Sequence, residues 1–476
     1  MTAFRESSDK RFSEIARRDL LRIGSLGLVG LNLPSMLQAA KVQGLRAGAA
    51  KSCILFYLEG GPAQQDLWDM KPDAPSVYRG EFRPIATKRP GVHVCEHLPM
   101  LAKQMHQLAQ IRSVHHKVVD HNAGTYYMLT GRTPVDGGRL IVKDDPSNFP
   151  PYGSVLAQLR PHKDLPEFVH LPEIMSNMGY DLPGERAGFL GPSFDPLVAG
   201  DPSAPNYQIP GLEFPKGMNR DRLRQRRSLL NAIDRGEEFQ DARYAAMGSH
   251  YQKAYSLLSS SKTREAFDLS REPMAVRERY GLPDRVDRSV EARKFGGLPH
   301  LGQCLLLTRR LIEAGVRLVT VCTGRRIDQT WDGHRQHFAL LRRSILPYFD
   351  RAFSALLEDM AERGLLDETL VVAMGEFGRT PKLGQTTSSA GATSAGRDHW
   401  PHCYTVLLGG AGIKRGMIYG ASDRYAAYPV SDPVTPEQIA ATIYYALGIS
   451  PEMRIYDSLN RPHSVALGEP IHDLFH

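Results

Sequence analysis

The chain has 476 residues, 42% hydrophobic and 23% charged, enough to bury one large or two modest α/β cores. Its formal net charge is +7, but residues 1–50 hold eight basic and four acidic residues, which leaves only +3 for residues 51–476. A charge that small on so large a body argues against nucleic acid as a partner. The five cysteines form no CxxC pair, and Cys53 and Cys322 sit in apolar runs, so a disulfide framework is not expected.

Residues 16–33 read ARRDLLRIGSLGLVGLNL, an Arg-Arg pair ahead of a short, mildly apolar stretch. That stretch is shorter than the roughly 20 residues a membrane-spanning helix needs. Small residues follow at Ala39-Ala40 and Ala49-Ala50, where a leader could be cut. The pattern resembles a twin-arginine export signal, with an amphipathic terminal helix as the other reading. The export reading implies a periplasmic or secreted protein handled by the twin-arginine machinery. No later run reaches transmembrane length, so residues 1–50 read as leader and 51–476 as one mature α/β domain.

Five runs in the body read as strands. Ser52–Leu58 is nearly continuous in apolar residues, as expected of a strand buried on both faces of a parallel sheet, and it stops at Glu59-Gly60-Gly61-Pro62. Leu108–Val114 is weaker and runs into His115-His116. Val316–Cys322, Thr369–Met374 and Tyr404–Leu408 complete the set. Between them, residues 347–363 place Phe349, Phe353, Leu356, Leu357 and Met360 on one helical face, with Gly364 beyond as a stop. Thr435-Pro436 reads as an N-cap with proline in the first turn, opening a helix to about Leu447. Residues 211–300 are charged and poor in strand signals, and read as a helical insertion whose arginine-rich start is a solvated face or an interaction surface. Residues 385–396 (QTTSSAGATSAG) read as a mobile loop between two strand ends. The alternation predicts an α/β fold with crossover connections and ligands at the carboxyl ends of its strands.

Chemistry-bearing residues gather at those ends. Asp66 and Asp69 follow the first strand. Asp120-His121 lead to Thr130-Gly131-Arg132 after the second, and Asp328, Asp332 and His334 follow the third. Glu376 and Arg379 follow the fourth, with Arg397-Asp398-His399 beyond the small-residue loop. Carboxylates and imidazoles converging on one sheet edge suit one or two divalent ions. Imidazole with carboxylate suits Zn, Mn or Fe, and carboxylate with water suits Mg or Ca.

Taken together, EGGPAQQDLWDMKP, RSVHH with H-x₃-TYYMLTG, WDGHRQH, GEFGRTP and GRDHWPHCYTVLLGGAGIKRG resemble the exported bacterial proteins of the DUF1501 family, from about residue 50 to the end. That family is grouped with the alkaline phosphatase/sulfatase superfamily. The resemblance implies a sandwich with a largely parallel central sheet and helices on both faces. It implies metal ligands at Asp66, Asp332, His334, Glu376 and His399. It also shows two departures: His121 stands where a Ser, Thr or Cys nucleophile is expected, and Phe377 where a histidine is expected.

The expected function is hydrolysis of a phosphate or sulfate ester, small or polymeric. In it His121 is a ligand, a general base or a nucleophile. Arg379, Arg132 or Arg397 either grips the anionic group or forms an ordinary ion pair. The rival expectation is a non-catalytic module binding an exported anionic glycan or partner protein.

Overall fold

Strands made of Val, Ile, Leu and Phe on both faces can lie only in a sheet covered on both sides. The computed structural model describes residues 50–476 except 163, 210–216, 218, 235–254 and 283–298, and it places those strands in that setting. Arg46–His476 make one compact unit; the leader expected over residues 1–50 falls almost wholly outside the described residues.

The central sheet has eight strands, β1 (Ser52–Tyr57), β2 (Leu108–Val114), β3 (Phe168–Leu171), β4 (Leu197–Val198), β5 (Leu318–Cys322), β6 (Thr369–Met374), β7 (Tyr404–Gly409) and β8 (Ile418–Tyr419). Their order is β4-β3-β5-β1-β6-β7-β2-β8. β1 lies at the centre, parallel to β5 on one side (Ile54 opposite Val319) and to β6 on the other (Ile54 opposite Val371). β7 alone runs against its neighbours, pairing antiparallel with both β6 and β2. The carboxyl ends of β5, β1, β6 and β2 therefore share one edge, the condition for a site assembled from distant segments.

Alternating side chains of β1 feed two layers. Ile54 and Phe56 meet α3 (Leu301–Ala314) and α4 (Leu346–Glu362), with Phe56 stacked on Phe349 at 5.6 Å between ring centres. Phe349, Phe353, Leu356, Leu357 and Met360 of α4 are all fully buried. Each contributes about 1.5–3 kcal/mol of burial free energy, which is why a helix that turns Glu358 and Glu362 to solvent holds here. On the opposite face Leu55 lies with Leu129 of α1 (His121–Thr130) and Tyr152 of α2 (Tyr152–Leu159). Tyr152 also packs edge-on against Tyr444 of α5 (Pro436–Ala446). α5 opens on a capping box between Thr435 and Gln438.

The fold class is thus the mixed α/β arrangement expected, with a mostly parallel sheet and helices on both faces. Strands β3, β4 and β8 were not expected, being two to four residues long and too short to show a period. Within residues 211–300 the stretches Arg220–Asp234, Ser261–Phe267 and Met274–Tyr280 are helical; residues 211–216, 218, 235–254 and 283–298 lie outside the described residues.

α1 carries His121 at its first turn, and its far end is fixed by Gly131, which adopts φ 64°. A β-carbon there would lie 2.3 Å from that of Ala440 on α5. Gly131→Ala is expected to lower stability by at least about 1–2 kcal/mol, from the left-handed backbone alone. The check is a urea midpoint that falls while the slope stays constant.

Candidate metal centre

Four of the expected residues meet. His121 sits at the N-terminus of α1, whose N-cap Asp120 accepts from the Ala123 amide at 2.9 Å. Asp332 and His334 come from the loop after β5. His399 comes from a short antiparallel pair, Gly378–Arg379 with His399–Trp400, that follows β6. One donor atom from each lies within 4.8 Å of all the others, the one such constellation among the described residues.

Hydrogen bonds fix how the three rings point. The Nδ1 of His334 lies 2.6 Å from the Gly391 carbonyl and that of His399 lies 2.7 Å from the Val119 carbonyl. A carbonyl only accepts, so each Nδ1 carries a proton and each Nε2 is turned toward the cluster. The Nδ1 of His121 faces Glu376 Oε1 at 2.5 Å, and its own Nε2 is buried with no hydrogen-bond partner. The Nε2 atoms of His334 and His399 stand 3.0 Å apart. Asp332 Oδ1 is 2.8 Å from His334, 3.3 Å from His121 and 3.6 Å from His399. An ion with bonds of 2.0–2.1 Å in a tetrahedron separates its donors by ~3.3 Å. The donor set therefore fits a transition-metal ion, and three imidazoles with one carboxylate suit Zn, Fe or Mn better than Mg or Ca.

The surroundings hold this set in place. Arg379 donates to Asp332 Oδ1 at 2.5 Å, and its remaining donors go to the carbonyls of Gly60, Gly61 and Arg397. Burial would raise the Asp332 carboxyl, but Arg379 and then His121 outweigh it and hold it well below the usual range. His121 is likewise opposed by burial, yet Asp332 and Glu376 push it up to about 9. Glu376 also accepts from the Gly60 amide at 2.9 Å. Gly60 adopts φ 99°, and a β-carbon would come 2.6 Å from the Asp332 amide nitrogen, so only glycine lets that loop approach. Phe377 lays its ring against His121 and His399, 4.8 Å from each.

Five expectations need correcting in place or role. Asp66, expected as a ligand, lies in a separate buried cluster, where Arg397 takes both its oxygens at 2.6 and 3.0 Å and His337 adds a third contact at 2.9 Å. Arg397, expected to hold an anion, is committed to Asp66 and to the carbonyls of Thr380, Pro381 and Tyr78. Arg379 is committed to Asp332 and backbone. Arg132 lies at the far end of α1, roughly 15 Å from His121 by helical rise, over the Phe149 ring and bonded to Ser464. Glu376 meets the Nδ1 of His121 rather than the shared centre.

Sequence reasoning missed His337, although it lies in the WDGHRQH segment, and the two ring-orienting carbonyls, which no residue type betrays. It named His116 without a role. His116 Nε2 lies 2.7 Å from the Glu376 carbonyl, while Nδ1 accepts from the Val118 amide. Both nitrogens are satisfied only in the neutral ring, and burial lowers its pKa to about 4.

Three outcomes follow from these contacts. Asp66→Asn breaks a buried pair and is expected to cost about 3–5 kcal/mol in denaturant titration while bound metal stays unchanged. Glu376→Gln is expected to weaken metal binding about 10–100-fold in competition with a chromophoric chelator. His116 is lower in the folded chain than its ordinary 6.5, so folding excludes its proton. Its contribution is complete above pH 6.5 and is lost as pH falls toward 4, and His116→Gln should flatten that part of a stability–pH profile.

The chain is similar to a lipoteichoic acid synthase from Listeria monocytogenes, at 9% identity over 86% of this chain and 74% of that one, with a TM-score of 0.34. It is similar to a sulfatase from Pseudoalteromonas sp., at 13% identity over 87% and 71%, with a TM-score of 0.37. It is also similar to a magnesium-bound TAB5 alkaline phosphatase mutant, at 11% identity over 80% and 96%, with a TM-score of 0.31. No curated protein matches the sequence. The model of a family described as protein of unknown function, DUF1501, matches residues 50–475, nearly nine-tenths of the chain, and the protein therefore belongs to the DUF1501 family.

Proposed function

We propose that the protein is an exported hydrolase of phosphate or sulfate esters that works with one transition-metal ion held by His121, Asp332, His334 and His399. The observation that carries this reading is the convergence of the Nε2 atoms of His334 and His399, 3.0 Å apart, with His121 and the Asp332 carboxylate in a mostly buried cluster. Such an ion polarises an ester oxygen and makes water a stronger acid. The chain's own groups do the rest. Glu376 faces the Nδ1 of His121 and so turns that ring's Nε2 to the cluster, where it would serve as a ligand. Arg379 keeps Asp332 ionised, and Phe377 keeps water from one side of the rings.

A cysteine nucleophile finds no support, because all five thiols are buried and Cys95, for one, is pushed up to about 12 by burial. Export rests on the Arg-Arg leader, with the twin-arginine machinery as partner and the periplasm or exterior as destination. No helix among the described residues is long and apolar enough to cross a membrane.

One feature favours a second reading. Four protein donors near tetrahedral spacing resemble a closed, structural site, whereas catalytic sites keep a position open. On that reading the protein is a metal-stapled module that binds an exported anionic glycan or partner protein.

Elemental analysis of protein purified without chelator, followed by a screen of phosphate and sulfate esters, separates the two. The expected result is one equivalent of Zn, Fe or Mn and ester turnover, both lost in an Asp332→Ala/His399→Ala variant. Metal without turnover of any ester favours the binding module. A folded protein that takes up no metal removes both readings.

A further inference from the structure

Glu59 lies just past the carboxyl end of β1, fully buried, and its two halves grip opposite ends of one loop. The side chain takes the start. Its Oε2 accepts from the Thr323 amide at 2.9 Å and its Oε1 from the Thr323 hydroxyl at 2.6 Å. The backbone carbonyl takes the end, accepting from the Thr330 hydroxyl at 2.6 Å and from the Trp331 amide at 3.2 Å. Thr323 is the first residue after β5, and Asp332 follows Trp331 directly. The loop that delivers Asp332 and His334 is thus closed at both ends by a single residue.

The packing around this closure is tight. A β-carbon on Gly324 would lie 3.2 Å from the Thr330 methyl and 3.7 Å from Glu59 Oε1. Trp331 is buried edge-on against Phe349, with ring centres 5.3 Å apart. The middle of the loop is held less firmly: its Arg326–Asp328 pair is exposed, and such pairs fix little. The two residues after Glu59 reach the other donors. The Gly60 amide donates to Glu376, which faces His121, and the Gly61 carbonyl accepts from Arg379, which donates to Asp332. Burial pushes the Glu59 carboxyl up to about 8, with the Thr323 bonds opposing the rise and the Glu376 charge adding to it. A buried acid shifted in this way beside a cluster of donors marks a group kept for the site.

From these contacts we infer that Glu59 is a positioning residue of the metal centre, fixing through Thr323, Thr330 and Trp331 where Asp332 and His334 stand relative to His121. The inference rests on the metal centre of the proposed function and adds to it a residue that is not one of the four donors. Glu59 acts on the ion only through the loop. Loosening the loop ends should therefore change how the ion is held, and not only how stable the fold is.

The test loads the full chain with cobalt(II), whose visible absorption reports the arrangement of its donors, and measures affinity by chelator competition. Thr323→Val/Thr330→Val removes both hydroxyls that donate to Glu59 at nearly constant shape, and Thr323→Ser/Thr330→Ser keeps them. Asp66→Asn is the control for destabilisation alone. The expected result is one cobalt in the native protein, bound about tenfold or more weakly and with a shifted band in the valine variant. The serine variant and Asp66→Asn should match the native protein in both readings. Glu59→Ala is expected to show at least the loss of the valine variant, and where it fails to fold the threonine variants decide. A valine variant with native affinity and an unmoved band overturns the inference and leaves the metal centre standing. So does a serine variant or an Asp66→Asn protein that loses as much as the valine variant. A native protein that takes up no cobalt removes the metal centre, and this inference with it.

Discussion

Two imidazole nitrogens 3.0 Å apart in a mostly buried pocket, with a carboxylate 2.8 Å from one of them, can sit together only with a proton or a cation between them. Much of the surrounding architecture serves to keep that arrangement from relaxing. Each ring is pinned at the nitrogen facing away from the cluster, two by backbone carbonyls and one by a buried carboxylate. Asp332 is kept ionised by an arginine whose other donors are used up on main chain. The rings cannot turn aside, and the carboxylate cannot take up a proton to escape.

The scaffold contributes through strand direction. Because β5, β1, β6 and β2 run the same way, residues more than two hundred positions apart emerge on one edge of the sheet. The close approach still needed after that is supplied by Gly60, where the Asp332 loop passes against backbone that has no side chain. Arg397, Asp66 and His337 form a second buried knot under the same loops. It uses residue types that also make metal sites, but with an arginine in the ligand position it closes into an ion pair instead.

That contrast explains how far the sequence could be read. The long strands and α4 were legible because continuous apolar runs and a helical stripe survive any tertiary context. The gathering of His121, Asp332, His334 and His399 was legible from strand ends and composition. Asp66 was misplaced because an Asp after the first strand looks the same whether its partner is an ion or the guanidinium of Arg397, 331 residues later. The arginines were misread for the same reason: their carbonyl partners carry no signature in the residue types. The role of Phe377 was likewise hidden, since a departure from a family pattern says what is missing and not what the new side chain packs on.

The Gly391 carbonyl that holds His334 belongs to the small-residue loop between β6 and β7, and Thr393 of the same loop bonds the His334 backbone. The ring cannot swing away until that loop lets go. If the centre holds an ion as proposed, its departure would require that backbone motion, and a chelator added in large excess would strip it at a speed set by the chain and not by the chelator. The residues least suited to chemistry, a run of Ser, Thr, Ala and Gly, would then set how long the centre keeps what it holds.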